Sequence, residues 1–474
     1  MRAVACCLLV LLTAACGASA PPPATSVAST PSMSTYATMP TMPPVAPTIS
    51  AAPAAVPNGL LFVQSRFAPG GQSFAPSVLV LDPEHGMASR SLPPGVFAPD
   101  WLVLYTASYD GTHTQVDARD PVTGMVRRTA TLEGRYNVGG DGWNGATEAG
   151  NTSPDGHWIA LTGSREYQAD GPIRSRFAVL DTAFAQPPRT LALDGAYTLD
   201  ALANDGNALY LIENLPVEYA TATPIPVPVA ALRYRVVFVD VLHPSLAPQQ
   251  LVDKSTQGTV MAGTRQVSVA MPDGQWLFSL YLNPKQPFIH ALNLTDRYAV
   301  CIFLPAGGAP EAQAHWALAR TTDGRRLYAA NGATGTVTEI DTTSLSTLRT
   351  VTVPMGAAQA AANPLVVAAG WFAPLSVSAK GDVTFGSMVL SPDGKTLVLT
   401  GVKGVMLLDT RDFHRRAHVL DAQVVSGLAL NPNGTRLYVI CRDTNTLTEI
   451  DPDTGAVRAE TAVGHDLGAI LRAT

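Results

Sequence analysis

The chain has 474 residues with a formal net charge of −6, and only 14% of its residues are charged. This acidic, charge-poor composition argues against a nucleic-acid-binding protein, because such proteins present basic surfaces to the phosphates. The 39 glycines and 38 prolines are typical of a fold with many turns between short strands.

Residues 1–15 predict an export signal, with one positive charge ahead of an apolar run that is shorter than the roughly 20 residues that span a bilayer. The next residues complete the stretch Leu-Thr-Ala-Ala-Cys16-Gly, which resembles the lipobox of bacterial lipoproteins. The resemblance implies that Cys16 is acylated, so that the lipid anchors the protein to a bacterial membrane, at the cell surface or in the periplasm. A plain secretory signal cleaved near Ala20 is the alternative.

Residues 16–57 have a different composition. Ala, Pro, Ser, Thr, Met and Val make up nearly all of this segment, and it carries no charged residue. Pro-rich polar sequence buries too little surface to fold. We therefore expect a disordered tether that holds the folded part, residues 58–474, away from the membrane.

The rest of the chain contains a repeated hairpin pattern. Two clear copies run from Met388 to Leu399 and from Leu428 to Val439, each with a Pro-Asp-Gly or Pro-Asn-Gly turn between apolar runs. Asp-Gly and Asn-Gly suit tight hairpin turns because they tolerate positive φ. Eight turns of this kind can be followed, at Gly59, Asp100, Gly156, Gly206, Gly274, Gly324, Gly394 and Gly434.

Each unit contains a second hairpin, in which a strand ends in Asp. Asp82, Asp120, Asp181 and Asp451 are examples, and we expect each of these carboxylates to cap its turn by accepting backbone amides. Four antiparallel strands per unit, repeated radially, predict an all-β protein with the β-propeller fold.

The repeats also resemble a known family. Pro-Asp-Gly-Lys-Thr-Leu-Val and Asn-Gly-Thr-Arg-Leu-Tyr-Val-Ile, followed by Thr-Glu-Ile-Asp, resemble the YVTN-type bacterial β-propeller repeat, best over 315–354 and 385–465. The resemblance implies a propeller, usually of seven blades. It implies no catalytic residues, because the repeated positions are structural.

The two chain ends predict how the ring closes. The first unit lacks an innermost strand, and the apolar stretch from Gly464 to Arg472 can supply it, which removes free sheet edges. Eight units then give eight four-stranded blades. Seven blades remain the alternative if the loosest unit, around Asp100, is something else.

Long segments concentrate on one predicted face. They are 65–77, 134–150, 163–175, 214–232 and 355–383, all placed between second and third strands or between blades. Because loops on a rigid scaffold commonly carry function, this face is the candidate binding surface, although loop drift without a ligand explains the lengths equally. The candidate binding residues are Tyr136, Trp143, Arg165, Tyr167, Trp371 and Phe372. The rival interpretation of Trp143, Trp371 and Phe372 is that they plug the central channel.

The sequence carries few signs of chemistry. The histidines show no metal-ligand spacing, Cys301 and Cys441 fall on separate blades, and motifs for nucleophilic catalysis or phosphate binding are absent. We expect no cofactor, no metal and no catalytic residue. Two hypotheses remain: a monomeric binding scaffold for a protein or glycan, or a propeller enzyme or enzyme subunit such as a lactone hydrolase or a quinoprotein-type dehydrogenase chain.

Overall fold

The computed structural model describes residues 59–67, 74–139, 150–166, 173–215, 233–255, 260–283, 285–307, 310–354, 386–464 and 467–474. Trp143, Tyr167, Trp371 and Phe372, the signal peptide, Cys16 and the tether lie outside these residues.

The described residues form thirty-three strands and one short helix. The strands of the first half are β1 (Leu61–Phe67), β2 (Phe74–Asp82), β3 (Met87–Leu92), β4 (Gly95–Phe97), β5 (Leu104–Tyr109), β6 (His113–Arg119), β7 (Val126–Glu133), β8 (Tyr136–Val138), β9 (Trp158–Gly163), β10 (Arg174–Asp181), β11 (Arg189–Asp194), β12 (Tyr197–Leu202), β13 (Ala208–Asn214), β14 (Tyr234–Asp240), β15 (Gln249–Gln250) and β16 (Val252–Asp253). Those of the second half, with the helix, are β17 (Thr264–Ala270), β18 (Trp276–Leu282), β19 (Phe288–Asn293), β20 (Tyr298–Phe303), α1 (Pro310–Gln313), β21 (Trp316–Arg320), β22 (Arg326–Asn331), β23 (Thr336–Asp341), β24 (Ser346–Thr352), β25 (Met388–Leu390), β26 (Thr396–Thr400), β27 (Val405–Asp409), β28 (Arg415–Val419), β29 (Val425–Leu430), β30 (Leu437–Cys441), β31 (Thr446–Ile450), β32 (Val457–Ala462) and β33 (Leu467–Ala473).

These strands form eight antiparallel blades arranged in a ring. From the innermost strand outward, the blades are β33-β1-β2-β3, β4 to β7, β8 to β11, β12 to β15, β17 to β20, β21 to β24, β25 to β28 and β29 to β32. The prediction of an all-β propeller with eight blades is confirmed. The weakest unit, around Asp100, is a genuine blade, because its turn joins β4 to β5.

The ring closes as the sequence predicts. Strand β33 pairs antiparallel with β1, for example Leu61 with Ala473 and Val63 with Ile470. The amide of Gly59 also donates a hydrogen bond of 2.7 Å to the carbonyl of Thr474. Both described ends of the ring therefore share one sheet, and its innermost edge is paired.

Tight turns join the first strand to the second and the third to the fourth. Gly394 and Gly434 adopt a φ of 72°, which a glycine adopts without strain. Asp451 Oδ1 accepts hydrogen bonds of 2.9 Å from the amides of Asp453 and Thr454, as expected for a capped turn. These turns all lie at one end of the ring, which we call the tight face.

Each seam between neighbouring blades has its own apolar cluster. Sixteen buried residues fill the seam between the fourth and fifth blades. The seam between the first and second blades is the smallest, with six: Phe62, Val78, Val80, Leu92, Phe97 and Leu104. Leu60, Trp101, Val122 and Leu471, which are partly buried, pack against this smaller cluster.

One strand departs from the regular pattern. The two-residue β16 pairs in parallel with β20, the outermost strand of the fifth blade, through Val252 with Tyr298 and Asp253 with Ala299. The chain that leaves the fourth blade thus joins the edge of the fifth before it enters β17, so β16 holds the two blades together.

Candidate functional site

The end of the ring opposite the tight face is the candidate binding surface, and we call it the loop-bearing face. Here second strands pass to third strands, and outermost strands pass to the next blade. The described residues at both ends of segments 68–73, 167–172, 216–232 and 355–385 lie at this end of their strands. Long sequence segments therefore leave and re-enter the ring on one face.

Cross-strand ion pairs hold the bases of two of these segments. Arg176 Nη2 lies 2.8 Å from Glu166 Oε1, and Arg235 Nε lies 2.5 Å from Glu213 Oε2. Each exposed pair contributes up to about 1 kcal/mol. The pairs fix where the chain departs from the third and fourth blades.

Arg165 connects the third blade to the fourth. This half-buried side chain donates a hydrogen bond of 3.4 Å from Nη2 to the carbonyl of Tyr197, the first residue of β12. One of its donors is therefore used in the scaffold beneath the loop-bearing face.

Tyr136 lies in β8 and is only 4% exposed. Its side chain belongs to the apolar cluster between the second and third blades, and burial raises the pKa of its phenol. Tyr136 therefore packs between the second and third blades. We expected it in a loop because β8, with only three residues, is too short to be recognised from the sequence.

Trp143 lies outside the described residues, and the chain on either side of it is described. After Val138 the innermost strand of the third blade resumes at Asn151, whose carbonyl accepts a 2.8 Å hydrogen bond from Ala160, and Thr152 pairs with Ile159. The described residues on both sides of segment 140–149 therefore belong to the innermost strand of the third blade. Gly150 is required at the end of this segment, because a Cβ there would lie 2.2 Å from the carbonyl oxygen of Asp200.

A buried polar cluster that sequence reasoning missed lies in the seam between the fourth and fifth blades. Asp200 Oδ1 and Arg265 Nη1 are 2.9 Å apart across the two innermost strands. Further out, the Cys301 thiol donates a 3.0 Å hydrogen bond to Asp253 Oδ2, and His290 is 1% exposed. The sequence signal was a polar residue within an apolar run, as in Phe-Ile-His290-Ala-Leu.

Two ionisable side chains of this cluster, His290 and Cys301, are shifted toward their uncharged forms. Burial lowers the pKa of the His290 imidazole, and burial together with the bond to Asp253 raises the pKa of the Cys301 thiol. Both groups are therefore neutral at pH 7, which disfavours the thiolate that a nucleophile needs. The cavity between His290 and Asp253 measures about 10 Å3, large enough for one water molecule and too small for an organic substrate.

The described residues hold no group of three or more His, Cys, Asp or Glu side chains that could bind a metal ion. Cys301 and Cys441 are both buried free thiols, on β20 and β30 as the sequence predicted. Within the same part of the chain, no helix has the length and apolar character needed to cross a membrane.

Comparison with known proteins supports the fold alone. No protein-family model matches the sequence, and no curated protein matches it significantly. A dihydro-heme d1 dehydrogenase, NirN, in complex with DHE, is 14% identical with a TM-score of 0.50, over 90% of this chain and 76% of that chain. The periplasmic gluconolactonase PpgL of Pseudomonas aeruginosa is 16% identical with a TM-score of 0.37, over 77% of this chain and 97% of that chain. Apo AztD from Citrobacter koseri is 12% identical with a TM-score of 0.40, over 87% of this chain and 96% of that chain.

Proposed function

We propose that the protein is a lipid-anchored, extracytoplasmic β-propeller of the YVTN type that serves as a monomeric binding scaffold for a protein or glycan. The observation that carries this proposal is the difference between the two faces of the ring. The hairpins of the tight face are short and closed by their own aspartates, whereas the long segments enter and leave at the loop-bearing face. Rigid scaffolds commonly present binding residues on such segments.

The proposed contacts are Trp143, Tyr167, Trp371 and Phe372, with Arg165 and Tyr136 as support beneath them. Large aromatic side chains often dominate interface affinity when they fill a pocket in a partner. Tyr136 and Arg165 hold the ring around the third blade, where the segment with Trp143 begins and ends.

The lipid anchor gives the binding face its setting. Acylated Cys16 and the uncharged segment to residue 57 would hold the ring clear of a bacterial membrane, at the cell surface or in the periplasm. The net charge of −6 disfavours binding to the phosphates of a nucleic acid.

An enzyme, either a lactone hydrolase or a quinoprotein-type chain, is the alternative. It would need reactive groups that a substrate can reach. Cys301, Cys441 and His290 are buried and neutral, so none of these three groups is available to a substrate at the surface.

Site-specific photo-cross-linking in the producing bacterium tests this function. A benzophenone amino acid replaces Trp143 or Trp371 in one set of variants and Glu84, on the tight face, in the matched control. We expect cross-linked protein or glycan from the first set and little from the control. Equal cross-linking from both faces, or none from Trp143 and Trp371, would contradict the proposal.

A further inference from the structure

The upper part of the seam between the first and second blades is lined by polar side chains. On the face of the second blade that looks toward the first, Ser108, Gln115 and Thr131 stand side by side on β5, β6 and β7. The next row down is also polar, with Thr106, Asp117 and Thr129. Apolar packing occupies only the lower part of this seam, through residues such as Leu104 and Phe62.

The inner strand of the second blade is short. Strand β4 pairs with β5 only from Gly95 opposite Thr106 to Phe97 opposite Leu104. Pro93 and Pro94 precede it, and proline has no amide proton with which to extend the pairing. The ends of β5, β6 and β7 therefore project beyond β4 on the loop-bearing face.

This projection carries an open cleft of about 280 Å3. Its lining residues are Ser108, Tyr109, Asp110, His113, Gln115 and Thr131. The volume is slightly below the range of pockets that hold drug-sized ligands, so it fits a single ring.

Hydrogen bonds to the buried Asp117 and within the β5–β6 turn hold the polar groups of the cleft in place. Asp117 is buried, and its Oδ1 accepts hydrogen bonds from Gln115 Nε2 at 2.8 Å and from Thr129 Oγ1 at 2.9 Å. The amide of Gln115 is thereby fixed. Asp110 Oδ1 accepts the amides of Thr112 and His113 at 2.8 and 2.7 Å, which orients that carboxylate.

Several polar atoms remain available to a ligand. Within the described residues, Ser108 Oγ, Thr131 Oγ1 and the imidazole of His113 take part in no hydrogen bond, and Gln115 Oε1 and Asp110 Oδ2 are likewise unused. Donors and acceptors thus alternate along one wall. Tyr109, the next residue of β5, points to the opposite face of the blade from Ser108, and there the guanidinium of Arg135 lies 5.8 Å from its ring centroid.

We propose that this cleft binds a neutral saccharide, with the hydroxyl groups of one pyranose ring against Ser108, Gln115 and Thr131. This rests on the proposed function, because the cleft opens on the loop-bearing face. Vicinal sugar hydroxyls both donate and accept hydrogen bonds, as do the hydroxyls of Ser108 and Thr131, and the Oε1 atom of Gln115 accepts. The carboxylate of Asp110 disfavours an anion, and the polar side chains of the lining disfavour a lipid.

Calorimetric titration of the full-length protein with chitotriose, cellotriose, maltotriose and mannotriose tests the proposal, with tetra-alanine as the peptide probe. We expect at least one trisaccharide to bind saturably. Gln115→Ala and Thr131→Ala should each weaken that binding about five- to tenfold, the effect of losing a hydrogen bond. Gln249→Ala, on the exposed outer strand β15, is the matched control and should bind like the wild type.

Both test residues are exposed, so the variants should melt like the wild type. Saturable binding of tetra-alanine that Gln115→Ala weakens, or no binding by any trisaccharide, would overturn the saccharide assignment. Trisaccharide binding that both variants retain would place the sugar elsewhere and overturn it too. Cross-links from Trp143 or Trp371 without saccharide binding would overturn this inference alone, and saccharide binding without those cross-links would overturn only the loop contacts.

Discussion

His315 is a titrating group inside the ring, next to the start of β21. It is 8% exposed, and burial lowers its pKa from 6.5 to about 4. As the pH falls below 6.5 the unfolded chain takes up this proton before the folded one, so stability is lost between pH 6.5 and about 4. This pKa shift corresponds to a loss of about 3 kcal/mol in the free energy of unfolding once the pH is below about 4.

Thermal melting at pH 7.5 and pH 5 measures this effect. The turn carboxylates do not interfere, because Asp393, with a pKa lowered from 3.8 to about 2, acts only at lower pH. We expect His315→Asn to melt with a clearly smaller difference between the two pH values than the wild type. An unchanged difference would show that His315 is not the group responsible.

In the proposed function, the location of the protein depends on acylation of Cys16. We expect Cys16→Ala to release the protein from membranes without changing its melting temperature, because the lipid joins the tether and not the ring. Metabolic labelling with palmitate and membrane fractionation measure this. If the wild-type protein takes up no palmitate, the lipoprotein interpretation is wrong and residues 1–20 are a plain secretory signal.

The buried polar residues show what the sequence reveals at this scale. His290 and Asp200 interrupt apolar runs and could be recognised as unusual from the sequence alone. The residues around them could not be predicted from the sequence, because Arg265 and Asp253 reach the seam from other strands, whose register is set only by blade packing.

At the scale of strands, Gly427 tests the seam where the ring closes. A Cβ at this position would lie 2.5 Å from the backbone nitrogen of Ile470, so β29 and β33 touch backbone to backbone. We expect Gly427→Val to force the strands apart and to cost about 1–3 kcal/mol of unfolding free energy, as overpacking does.

Denaturant unfolding measures that cost, and Gly464→Val is the matched control, because nothing lies within 4 Å of a Cβ there. Equal stability of the two variants would mean that the two strands do not meet as closely as the structure has them.

The aromatic residues of the long segments separate binding from channel plugging. If Trp143, Trp371 and Phe372 serve a partner, the triple alanine variant should stay within about 0.5 kcal/mol per site of the wild type, as for surface positions. Plugs of the channel should cost about 3–5 kcal/mol each. We expect the small effect in urea unfolding, and a loss of several kcal/mol would remove these residues from the binding face.

Strand order was predictable where turns leave a chemical signature. Asp-Gly or Asn-Gly and the aspartate caps mark most hairpins of the tight face, because positive φ and free amides favour those residues, although Asn293 takes the place of the aspartate in the fifth blade. Strand β8 in the third blade and strand β16 were not predictable. Tyr136–Val138 and Val252–Asp253 are too short for a periodic pattern.

At the scale of the molecule, closure and the difference between the faces have one origin. Four-stranded antiparallel units, with the last strand of the chain in the first blade, put the tight turns at one end and the segments 68–73, 167–172, 216–232 and 355–385 at the other. The sequence predicted this arrangement from the spacing of its turns. It could not predict the cleft on the second blade, because that depends on the short β4 and on which side chains face the first blade.

Cysteine footprinting of both faces tests the central claim, that one face binds. Single cysteines replace Ser164 and Lys285 on the loop-bearing face and Glu84 and Asp453 on the tight face, all exposed positions. The native Cys301 and Cys441 are buried and contribute little labelling. Maleimide labelling is then compared between intact cell envelopes and the purified protein. We predict that in envelopes only the cysteines at Ser164 and Lys285 are protected from labelling. Protection at Glu84 and Asp453 instead, or at none of the four positions, would contradict the account.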